Sequence, residues 1–170
     1  MAQHTRKDIY VIGMLDGPPY KIRYSERHGI REKLWIASCP IARDLHGNYV
    51  VTIDSLLYQQ VGWMPEFKFG IVKHAIGADT PPERFYSSDA ARPYVPDDDR
   101  ARLIDVVVAS LEGLLGRARP LEVLRQIKEP HKSSRRVHDR ITEVFSLYGY
   151  AVEFRWPDKA DRRWVHVRRS

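Results

Sequence analysis

The sequence predicts an α+β protein made of two modules, and three observations carry that expectation. Short β-branched and aromatic runs punctuated by turn residues fill the first half, at residues 9–14, 20–24 and 49–51. Further on, Leu103, Ile104, Val107, Val108, Leu111, Leu114 and Leu115 form an apolar stripe at helical spacing. The charge then shifts: residues 1–116 carry 14 Lys and Arg against 15 Asp and Glu, whereas residues 117–170 carry 14 against 7. The whole net charge of +6 therefore comes from the last third, which suits a near-neutral front module and a basic back module with a polyanionic partner.

Composition sets the outer bounds. A chain of 170 residues, 43% of them hydrophobic, holds one domain or two small ones around a packed core. The single Cys39 excludes an internal disulfide and any cysteine-based zinc site. His131, His138 and His166 fit no familiar zinc spacing. No apolar run approaches membrane-spanning length, and the opening MAQHTRKD lacks an apolar signal core. A soluble, cytoplasmic protein without a membrane partner is expected.

Taken in order, residues 9–14 read as a strand and Asp16-Gly17-Pro18-Pro19 as a turn. A second strand follows with Tyr20, Ile22 and Tyr24 on one face and Lys21 and Arg23 on the other. The two strands are expected to bring Tyr10 near Lys21. Ser25 then leads into a short helix in which Ile30 and Leu34 share a face and Arg31 projects. His46-Gly47-Asn48 is a turn before a strand at Tyr49, and Asp54 is placed to N-cap a helix through Leu56, Leu57 and Gln60. Val61 to Pro65 breaks that helix, and residues 67–75 fit helix or strand. Residues 88–96 read as a linker. Asp97-Asp98-Asp99 opens the helix of the apolar stripe, and Gly116 is placed to cap it.

In the last third, Pro120 begins a helix with Leu121, Val123, Leu124 and Ile127. After a break at Glu129-Pro130-His131-Lys132, Ser133 or Ser134 caps a second helix whose Val137, Ile141, Val144, Phe145 and Tyr148 face inward. Gly149 stops it. Residues 151–156 and 162–168 alternate as a hairpin around a turn at 157–161, with Trp156 and Trp164 anchoring the hairpin or stacking on bases.

Residues 8–40 resemble the core of the GIY-YIG endonuclease superfamily, in particular its phage-type branch. There the second motif reads K-I-G-x-S, an Arg follows the Ser by six residues and a Pro follows that Arg by nine. Ile9-Tyr10-Val11 matches the first motif and Lys21-Ile22-Arg23-Tyr24-Ser25 the second, with Arg31 and Pro40 at the two spacings. The motif's glycine is Arg23 here. A weaker likeness runs on to residue 90 through Pro81-Pro82-Glu83-Arg84-Phe85-Tyr86, which resembles the strand closing the phage-type core. The resemblance implies a small antiparallel three-stranded sheet flanked by helices over residues 1–95, hydrolysing phosphodiester bonds with Mg²⁺ or Mn²⁺. It implies that Tyr10 positions or deprotonates the water, Lys21 supplies a cation or proton relay, and Arg31 stabilises charge on the phosphate. His74 fits the family's helical histidine loosely, with Gly70 where the branch carries its metal-binding glutamate. Glu66 is the nearest choice for that metal ligand, ahead of Glu83 and Asp54.

Residues 96–170 resemble a winged helix-turn-helix, which implies a helix-rich module with its second helix in the DNA major groove. Arg135, Arg136 and Arg140 would meet DNA from that helix, and Arg155, Lys159, Arg162 and Arg163 from the hairpin. The combined expectation is a metal-dependent DNA endonuclease with a basic C-terminal DNA-binding module. The alternative is a non-catalytic DNA-binding regulator on a degenerate nuclease core, and RNA stays open as the polyanion.

Overall fold

Two-residue alternation governs most of this chain, and helical spacing governs little of it. The computed structural model describes residues 10–12, 18–77, 79–85, 93–94, 100–128, 132–157 and 162–170, with the backbone alone at 10–12, 85, 100, 128, 132–135, 154–157 and 162–163. Nine strands and two helices form among the described residues. They are β1 (Tyr10–Ile12), β2 (Arg23–His28), β3 (Glu32–Asp44), β4 (Tyr49–Gln60), β5 (Glu66–Ala75), β6 (Glu83–Phe85), α1 (Arg100–Ala118), β7 (Glu122–Lys128), α2 (Lys132–Leu147), β8 (Tyr150–Pro157) and β9 (Arg162–Arg169).

The expected fold class is corrected by this architecture. In place of a three-stranded sheet flanked by helices and a helix-rich winged-helix-like module, the strands follow the order β1-β3-β4-β5-β7-β9-β8, with β2 on β3 and β6 on β5. The sheet is mixed, because β5 and β7 pair in parallel at Glu66 and Leu124 while β1–β3, β5–β6, β7–β9 and β8–β9 are antiparallel. Three expected helices are strands instead. At residues 25–34 the chain makes β2, a turn and the start of β3; Gly29 N–H donates to the Glu32 carbonyl at 2.8 Å, and Ile30 is 98% exposed at the tip. The segment after Asp54 continues β4. Residues 122–128 form β7, whose seven residues all pair with β9. The turn at Asp16-Gly17 and the aspartate run at 97–99 lie outside the described residues.

By its internal packing the chain divides into two units. The first comprises Met1–Arg23, Ser38–Asp54 and Phe69–Val107; the second comprises Tyr24–Ala37, Ser55–Lys68 and Val108–Ser170. In the first unit Ile41, Val51, Ile53, Ile71, Val72 and Val106 are buried. Cys39 is buried with them, and burial pushes its thiol pKa up, so it stays protonated as a core side chain. The β3–β4 turn is fixed by Asp44, whose carboxylate accepts from the backbone amides of His46 and Asn48, each at 3.2 Å. Burial acts to raise the pKa of that carboxyl, and the two amide donors overcome it, leaving the pKa lowered.

The second unit packs α2 on β7, β8 and β9. Ile141, Val144 and Phe145 of α2 are buried along with Val123, Val165 and Val167 of the strands. Phe145 stands edge-on to Phe67 and to Tyr150, with ring centroids 6.3 and 5.6 Å away, a geometry that adds to plain area burial. Tyr150 donates its hydroxyl to the Pro120 carbonyl, tying β8 to the segment before β7. In α1, Gly113 leaves room for Tyr24: a Cβ there would stand 2.6 Å from Tyr24 Cε1. The Arg117 guanidinium covers the Tyr24 ring at 3.6 Å from its centroid. Gly116 lies inside α1 rather than capping it. The helix ends instead at Arg119, which holds φ at 45° and donates its N–H to the Leu115 carbonyl at 3.0 Å. The β8–β9 ladder carries a register shift between Val152 and Phe154, a bulge on the strand that ends the sheet order.

Candidate functional site

Tyr10 lies on β1, where its backbone pairs with Asp44 of β3, so β1 does not run beside Lys21. Lys21 is exposed in the irregular segment before β2. Arg31 is exposed in the β2–β3 turn rather than on a helix, and its carbonyl accepts the Val61 N–H at 2.8 Å. His74 and Glu66 both lie on β5; His74 belongs to the first unit, and Glu66 and Arg31 to the second. The Glu66 carboxylate pairs with Lys68 Nζ at 3.3 Å. Among the described residues no three His, Cys, Asp or Glu side chains converge as a metal site. A hard cation takes oxygen ligands, and the group in contact with the Glu66 carboxylate is the Lys68 ammonium.

Of the residues expected to meet nucleic acid, Arg136 is exposed on α2 and Arg140 is half-buried there. The backbones of Arg135, Arg155, Arg162 and Arg163 lie on α2, β8 and β9. Lys159 lies outside the described residues.

The first unit holds a row of polar side chains across neighbouring strands. Thr52 and Asp54, two apart on β4, share a face. Asp54 Oδ1 accepts from Ser38 Oγ at 2.6 Å and from Thr52 Oγ1 at 2.8 Å. Thr52 has one hydroxyl proton, and Asp54 takes it. The contact of His74 Nε2 to Thr52 Oγ1 at 3.0 Å is then a donation from the ring.

The second unit holds a cleft of about 520 Å³. Trp35, Trp63, Met64, Pro65, Pro120 and Leu121 supply apolar lining, and Lys33, Gln59 and Glu122 supply polar groups. Trp63 is 72% exposed and Leu121 52%. The Glu122 carboxylate lies 3.8 Å from Arg168 and 3.6 Å from His166. Away from the cleft, Arg125 is buried and donates to the His138 carbonyl at 3.1 Å and to the Thr142 hydroxyl. Burial, reinforced by the nearby Arg125 charge, lowers the His138 pKa to about 4.

No protein-family model and no curated protein matches this chain. Lys33, Trp35, Trp63 and Arg119 are not among the residues that the sequence motifs single out. Trp63 carried a readable signal, a large aromatic within the breaker Val61-Gly62-Trp63-Met64-Pro65. Lys33 and Trp35 carried none, because their segment read as a helix.

Proposed function

We propose that this protein binds nucleic acid through its second unit, acting as a non-catalytic DNA- or RNA-binding protein. The supporting observation is the charge of the two units. The second carries 18 Lys and Arg against 11 Asp and Glu, a net of +7, while the first carries 10 against 11, a net of −1. Arg27, Arg31, Lys33, Arg119, Arg136 and Arg168 of the second unit are exposed. Cations gathered in this way release counterions from phosphates, and binding then weakens steeply as salt rises. An anisotropy titration across salt concentrations tests the reading. Removing Arg119 and Arg136 together should weaken binding and flatten the salt slope by about 0.7–0.9 per lost contact. Affinity unchanged by that double substitution would take the basic unit out of the binding.

A second reading keeps the metal-dependent endonuclease that the resemblance implies. One observation favours it: His74 is held by Thr52, which Asp54 anchors in turn, as a general base is held by an orienting group. Plasmid nicking with added Mg²⁺ or Mn²⁺, lost in EDTA and in His74→Ala, would establish it. Intact plasmid under all conditions, with DNA still bound, would leave the binding protein alone.

A further inference from the structure

We propose that the cleft of the second unit is a stacking site for the bases of single-stranded nucleic acid. The inference rests on nucleic-acid binding as the function and names the form that is bound. Two indoles line a cavity of about 520 Å³, a size suited to a planar group. Trp63 is 72% exposed, so it forgoes most of the burial that an aromatic ring supplies to a core. The turn imposes that position. Gly62 holds φ at 83°, Trp63 N–H donates to the Gln60 carbonyl at 2.9 Å, and Val61 is tied to Arg31. Trp35, by contrast, is fixed edge-on by His28 at 5.7 Å between centroids, and His28 is anchored by Glu26 at 3.0 Å.

Charge selects the occupant. Lys33 lines the cleft, and the lining acid Glu122 lies 3.8 Å from the Arg168 guanidinium. Arg119 sits between the lining residues Ala118 and Pro120 in a left-handed conformation that glycine would take more easily. Two indoles and a lysine in one lining, with Arg119 next in sequence to two lining residues, fit a ligand that carries both phosphates and flat faces. A single strand offers such faces to every indole it passes. A duplex keeps its bases stacked and offers phosphates and base edges but no free flat face. Gln59 adds a donor and an acceptor for a base edge. DNA and RNA single strands share this chemistry.

The test is anisotropy at one salt concentration with labelled oligo-dT and oligo-rU of about 12 nucleotides, within the range of known stacking sites, and a duplex of equal length. The single strands should bind at least about tenfold tighter than the duplex, with Trp63→Ala erasing the preference and Trp63→Phe keeping most of it. The dT and rU arms show which sugar the site accepts. Equal affinity for strand and duplex, unaltered by Trp63→Ala, would overturn the stacking site while leaving nucleic-acid binding in place. Binding to none of the three would remove the function itself and the inference with it. Competition by inorganic polyphosphate as strong as by oligo-dT, or an acidic proline-rich peptide held in the cleft against excess oligo-dT, would also overturn it.

Discussion

In the first unit a carboxylate, Asp54, is buried between the hydroxyls of Ser38 and Thr52; in the second a guanidinium, Arg125, is buried against α2, donating to a carbonyl and a hydroxyl. Each unit buries a charge of the same sign as its own net charge. A count of basic residues therefore overstates what the second unit can offer to phosphate, since Arg125 is committed to the interior. What reaches a ligand is the exposed set that includes Arg31, Lys33 and Arg119. The first unit nearly balances its acids and bases, and the second keeps an excess of cations.

The largest expected effect would break this comparison on the acidic side. Asp54→Ala leaves two hydroxyls without their acceptor and should cost about 2–4 kcal/mol of stability, with Asp54→Asn costing less. Urea melts measure it, and oligonucleotide affinity at permissive urea should be unchanged; a matched loss of affinity would tie binding to the first unit. Gly113→Ala should destabilise by about 1–3 kcal/mol through overlap with Tyr24. Adding Tyr24→Ala should recover part of that loss, and strictly additive losses would mean the two residues do not meet.

Acid should act on the second unit through His138, whose pKa is lowered in the fold to about 4 from 6.5. The unfolded chain takes the proton first, so the stability contributed by neutral His138 is complete above about pH 6.5 and is lost as pH falls toward 4. With its partial exposure discounted, the effect is on the order of 2 kcal/mol. His138→Gln should show a shallower fall between pH 7 and 4.5, and identical slopes would exclude the histidine. The smallest effect is expected at Arg119→Gly, which relieves the positive φ and should stabilise by about 0.5–1 kcal/mol while weakening oligonucleotide binding. A gain in melting temperature with unchanged affinity would detach Arg119 from the ligand.

Some of this was legible locally. The Leu103–Leu115 stripe is α1, and Val137, Ile141, Val144 and Phe145 are one face of α2, because repeated apolar spacing over several turns has a single reading. The closing hairpin was legible by alternation. Ile30 with Leu34, and Leu121 with Leu124, are single pairs that suit helix and strand alike, and ladder partners far along the chain decided between them. Asp54 looked like a helix cap because its acceptor role depends on Ser38, on another strand. Pro40 sits within β3, although proline usually ends a ladder. The cleft was hidden for the same reason: Arg31 and Val61, joined by a backbone hydrogen bond, are 30 positions apart.

The bulge between Val152 and Phe154 also bears on how this molecule meets its own copies. β8 stands last in the strand order, where an unbroken strand would present a regular row of amides and carbonyls to any second chain. The register shift opposite β9 interrupts that row part-way along, and the exposed Glu153 stands within it. An incoming strand with regular spacing could match one half of the edge or the other, never both. A local irregularity of this kind is one of the devices by which a sheet edge is made a poor template for a second chain.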